Sequence, residues 1–87
     1  MNPRLRAVIA RAFDLKPDAV PGNASPETVA EWDSVGHINL VSEVEAEFGV
    51  RLATEEILAI KGVADLERLL AAKGVAGFAA TTAAAKG

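Results

Sequence analysis

Asp33-Ser34-Val35-Gly36-His37-Ile38-Asn39-Leu40-Val41-Ser42-Glu43-Val44-Glu45-Ala46-Glu47-Phe48-Gly49 is the stretch on which the fold turns. It opens with Asp33 and Ser34, two residue types that both favour the N-cap of a helix. Leu40, Val41, Val44 and Phe48 then fall on one stripe of a 3.6-residue period. Gly49 follows where a left-handed C-cap is wanted. The pattern predicts an amphipathic helix over 34–48, entered from a polar loop and begun by a serine. Val50 and Leu52 return to the core from an irregular segment.

Toward the N-terminus, Leu5, Val8, Ile9, Ala12 and Phe13 mark a helix over 3–15, with Asn2 as cap and Pro3 in the first turn. Arg4, Arg6 and Arg11 are expected on its wet side. Residues 16–33 form a long connection, with turn chemistry at Lys16-Pro17-Asp18 and Pro21-Gly22-Asn23 and a short helical turn expected around 26–31. A loop of that length has to pack down or serve a function, and Val20, Val29 and Trp32 are the side chains able to pin it. Toward the C-terminus, Thr54-Glu55-Glu56 reads as cap and acidic first turn of a short helix carrying Ile57, Leu58 and Ile60. Residues 64–73 form a last helix with Leu66, Leu69 and Leu70 inward. Residues 74–87 hold six alanines and three glycines and no amphipathic stripe, so they read as a disordered tail after a domain spanning 1–73. With no strand signal, the expected fold is all-α: a small four-helix bundle, three main helices and a short one, with a long first loop.

Composition narrows the function. The chain has 87 residues, enough for one domain. Of its apolar residues 18 are alanine, which leaves 26 larger apolar side chains, enough for a core but not for a deep catalytic pocket as well. There is no cysteine and one histidine, which excludes a thiol nucleophile, a disulfide framework and a multi-histidine metal site. A net charge of −3 argues against nucleic acid as a partner. No apolar run approaches a membrane span, and Met1-Asn2-Pro3-Arg4 lacks the apolar stretch of a signal peptide; the expected setting is a cytoplasmic monomer.

A serine hydroxyl at a helix start has two readings. It plugs free backbone amides as a cap, or it offers a reachable oxygen on which a phosphodiester would sit in the positive end of the helix dipole. Here the chain resembles the acyl carrier protein family. The resemblance rests on Asp33-Ser34-Val35 opening the second helix, followed in register by Leu40, Val44 and Phe48-Gly49-Val50, then Ile60 and Val63-Ala64-Asp65-Leu66. It covers residues 3–73. It implies that Ser34 receives 4′-phosphopantetheine from coenzyme A through a phosphopantetheinyl transferase. The protein would then catalyse nothing itself. It would carry an acyl group as a thioester to acyl-activating and acyl-transferring enzymes of a specialised lipid or polyketide pathway.

Asp33, Val35, Gly36, His37 and Ile38 form the expected docking surface, with Asn39, Ser42, Glu45 and Ala46 further along the helix. The sequence departs from the family pattern where Val35 replaces the usual leucine, and where Gly36 and Asn39 stand at positions that fatty-acid carriers usually fill with acids. Residues 27–56 nevertheless hold eight Asp and Glu against Arg51 alone, a balance that would steer a basic partner. Gly36, costly in a helix, reads as a point of close approach by the arm or a partner. His37, one turn after Ser34, reads as a partly exposed neighbour of the arm, and Trp32 as a pin for the loop. The same arm could carry an aminoacyl group. From other classes come an unmodified helical interaction module and, remotely, a hydrolase built on Ser34 and His37.

Overall fold

Asn2 starts the first helix, α1 (Pro3–Phe13), by accepting the Arg4 and Leu5 amides on its side chain at 2.8 and 3.3 Å. Pro3 loses nothing there, since first-turn amides have no acceptor inside the helix. The computed structural model describes residues 1–78, and among them every regular element is helical. α1 ends two residues before the periodicity suggests. Asp14 turns left-handed at φ 57°, a conformation that aspartate tolerates better than most residues. Lys16, which precedes Pro17, is extended as a pre-proline residue should be.

The long loop over 14–33 packs down rather than standing away. A single 3₁₀ turn, Pro17–Ala19, interrupts it, and Val20, Ala24, Val29 and Trp32 are all buried. The expected helical turn near 26–31 is one turn closed by the Thr28 and Val29 amides on the Ser25 carbonyl. The Arg6 guanidinium donates to the Val20 carbonyl at 2.8 Å. The Val63 amide donates to the Ala24 carbonyl at 2.9 Å, so the loop also receives the start of the last helix.

α2 (Ser34–Phe48) has the bounds read from its caps. Gly49 closes it at φ 65°. Its buried face of Leu40, Val41 and Val44 joins Leu5, Val8, Ile9 and Phe13 of α1 in the core. Arg4 and Arg11 of α1 are exposed, as expected, and reach across to α2, whereas Arg6 is half-buried against the loop. Arg4 meets Glu47 at 3.2 Å, and Arg11 meets Glu43 at 2.8 Å and Glu47 at 3.4 Å. Phe48 is only half-buried, with the Arg4 guanidinium 4.8 Å from its ring centre.

α3 (Thr54–Ala59) and α4 (Val63–Ala72) complete the fold. Thr54 is the first helical residue rather than the cap; the Ala53 amide donates instead to the Glu56 carboxylate at 2.8 Å. Leu66 and Leu70 of α4 are buried, and Leu69 is half-buried. The packed chain does not stop at 73. Gly74, at φ 79°, reverses it so that the Val75 amide reaches the Leu70 carbonyl. Phe78 then packs edge-on against Phe48, with ring centres 5.5 Å apart. An isolated aromatic caught by a half-buried ring thus corrects the expected tail for residues 74–78; residues 79–87 lie outside the described residues.

Candidate functional site

Asp33 and Ser34 divide the work at the start of α2. Asp33 is extended, and its carboxylate accepts the Gly36 amide at 2.8 Å while its carbonyl accepts the His37 amide at 2.8 Å. Asp33 is therefore the N-cap. Ser34 is the first helical residue and is exposed. Its hydroxyl is not the plug for the helix end, because the plug is supplied one residue earlier. At Ser34 the structure thus places a reachable residue beside first-turn amides that have no acceptor within the helix.

Gly36 has a different role from the expected one. It is buried, and a Cβ there would overlap the Glu31 carbonyl oxygen and stand 3.1 Å from the Phe13 ring. The close approach is made by the protein's own loop, which crosses the first turn of α2. Gly36 therefore leaves the docking surface.

His37 is half-buried and borders the same groove as Ser34, and both of its ring nitrogens are occupied. Its Nδ1 accepts the Trp32 indole N–H at 2.9 Å, and its Nε2 lies 2.9 Å from the Ile57 carbonyl. An indole nitrogen only donates and a carbonyl only accepts, so the ring is the neutral tautomer protonated at Nε2. Both nitrogens are engaged, and the lone pair faces Trp32 rather than Ser34. In this arrangement no base is offered to the Ser34 hydroxyl, and no ring nitrogen is free to meet an arm or a partner. Instead His37 ties the loop, α2 and α3 together. Trp32 is buried, tilted against Phe13 at 5.5 Å and stacked near His37, which is the pinning role read for it.

Ser34 stands on the rim of an open groove of about 620 Å³ between the loop, α2 and α3. Trp32, His37, Ile38, Leu58 and Ile60 give it apolar or aromatic walls, and Lys61 lies on its border. Val35, Ile38 and Leu58 are the large apolar residues left in solvent, at 70%, 57% and 69% exposure. Leu58, Ile60 and Lys61 were not singled out as site residues from sequence. Ile57 and Ile60, three apart, put Leu58 off their shared face, and that was the available signal. A second groove of about 350 Å³ lies between α3 and α4, with Glu56 and Asp65 on its walls. Both carboxylates are engaged, Glu56 by the Ala53 amide and Lys73, Asp65 by the Lys61 amide and Arg68.

Glu43 and Glu47 stand on the side of α2 away from Ser34, whereas Glu45 is in line with it about three turns along the helix. Glu43 and Glu47 hold Arg11 and Arg4, and the hydrogen bond that Arg11 donates to Glu43 is the main cause that pushes its guanidinium further up. Glu45, half-buried, accepts the Leu52 amide at 2.9 Å and fixes the chain reversal after Gly49. Asn39, Ser42 and Ala46 remain exposed on α2. Among the described residues no helix is long and apolar enough to cross a membrane. No protein-family model matches the chain.

Proposed function

We propose that this protein is an acyl carrier, holding its cargo as a thioester on a 4′-phosphopantetheine arm joined to Ser34. The observation that carries the reading is the division of roles at the start of α2. Asp33 caps the helix, and the Ser34 hydroxyl stays exposed. A serine needed only for capping would occupy the cap.

The residues present fit such a group. Ser34 Oγ would hold the phosphate ester, and the N-terminal amides of α2 favour negative charge at that place. The groove beside Ser34 offers Ile38, Leu58 and Ile60 as apolar surface. When bound, the arm supplies the thiol that this cysteine-free chain lacks. The chain's own part is positional. Asp33 sets where the helix begins, Gly36 lets the loop close over the first turn, and the Trp32–His37–Ile57 chain of hydrogen bonds holds α3 beside it. Tethering a cargo to a small protein raises its effective concentration at a docked enzyme, so no catalytic group is needed on the carrier.

The partners that follow from this reading are a phosphopantetheinyl transferase and the enzymes that load and unload the arm. Intact mass spectrometry tests it. Incubation with coenzyme A, magnesium and a broad-specificity transferase should add one phosphopantetheine to the wild type and none to Ser34→Ala. No gain in the wild type, or a gain that survives the substitution, overturns the proposal.

A further inference from the structure

Every exposed residue of α2 is uncharged: Ser34, Val35, Ile38, Asn39, Ser42 and Ala46. The three carboxylates of the helix are turned to other work. Glu43 and Glu47 pair with Arg11 and Arg4 of α1, and Glu45 receives the Leu52 amide. Val35, Asn39, Ser42 and Ala46 recur at helical spacing and form one stripe, with Ile38 one turn from Ser34 beside it. Leu58, from α3, adds a third large apolar side chain across the groove. The charged residues that line the groove with Ser34 stand off α2 and are of both signs, Glu27 and Asp33 on the loop and Lys61 beyond α3.

An enzyme that reaches the Ser34 oxygen has to lie over the exposed residues around it, which on α2 are Val35 and Ile38 and on the loop Asp33, whose carboxylate is spent on capping the helix. We infer that the enzyme acting on Ser34 docks through an uncharged, apolar surface of its own on Val35, Ile38 and Leu58, and not through basic residues paired with acids of α2. This inference rests on the carrier reading. A basic patch laid on this stripe would be desolvated with no partner, which disfavours such enzymes. A neutral face also gives little long-range steering, so docking here is governed by fit and is nearly indifferent to salt.

The probe is the same broad-specificity transferase with saturating coenzyme A, the readout the initial rate of mass gain. Wild-type kcat/KM should change by less than about threefold between about 25 and about 500 mM NaCl. Ile38→Ser and Leu58→Ser should each raise KM by about tenfold with kcat nearly unchanged, because both side chains lie on the surface and their loss spares the fold. The double variant Asn39→Glu/Ser42→Glu, run in the same salt series, should acquire the salt dependence that the wild type lacks. A wild-type loss above about tenfold with salt overturns the inference, as does an unchanged KM in both serine variants. In either case Ser34 is still modified and the carrier reading stands. No mass gain at all overturns the carrier reading, and this inference with it.

Discussion

The α1–α2 pair and the α3 side of the molecule are held by different means. Between α1 and α2, Leu5, Val8, Ile9, Leu40 and Val44 are fully out of water, and three ion pairs close the edge. None of the six residues of α3 is fully buried. That short helix is held by the His37 ring on the Ile57 carbonyl, by Glu56 on the Ala53 amide and on Lys73, and by Ile60 just beyond its end. Ser34 stands on the seam, on the firmly packed helix but facing the lightly held one. Segments with few buried apolar contacts open at lower free energy than a packed core. On the proposed function, the attachment point is therefore fixed and the wall beside it adaptable.

The largest effect expected from this contrast lies in the core. Leu5→Ala should cost about 2–5 kcal/mol in urea denaturation, whereas Leu58→Ala should stay within about 0.5 kcal/mol. Equal costs would break the comparison. Next comes Gly36→Ala. Helix propensity alone would make it stabilising, by up to about 1 kcal/mol. The Glu31 carbonyl makes it an overpacking change instead, expected to destabilise by about 1–3 kcal/mol and to expose Trp32 in fluorescence. The sign alone decides whether the loop closes over α2 as described. His37→Ala leaves the buried indole N–H without its acceptor and should cost about 1–2 kcal/mol. The variant should also change Trp32 emission; emission that ignores the substitution would show that α3 and the loop do not depend on the histidine.

What was legible in the sequence was local. Asn2 with Pro3, and Asp33 with Gly49, place helix ends from the chemistry of neighbours in the chain, and α2 came out with its expected bounds. Val20, Val29 and Trp32, read as able to pin the loop, are buried. What was not legible depends on distant partners. The acceptor for the His37 ring is a backbone carbonyl 20 residues away, which no residue type advertises. The reason for Gly36 is the Glu31 carbonyl, equally silent in the sequence. Glu43 and Glu47 look like a free acidic face until α1 is laid beside α2, because their arginines lie more than 30 residues away. The exposed stripe beside Ser34 became visible only when those pairs were known.

The smallest expected effect is on the lightly held side, and it is set by pH. The Ala53 amide, and after it Lys73, hold the Glu56 carboxyl below its ordinary value of 4.5. A carboxyl with a lowered folded-state value stabilises the fold above the ordinary value, and the contribution is lost as pH falls through the folded value. Glu56→Gln keeps an oxygen for the Ala53 amide but removes the charge. At neutral pH, amides at the start of α3 should therefore exchange faster in the variant than in the wild type, while those of α1 and α2 keep their protection. As pH falls below the ordinary value and through the lowered one, the wild-type carboxyl is itself protonated, and the two protection profiles should converge. A difference that persists in acid would mean that the glutamine disturbs α3 by shape rather than by charge. A difference that spreads into α2 would mean that the two sides of the seam open together, and the adaptable wall beside Ser34 would have to be given up.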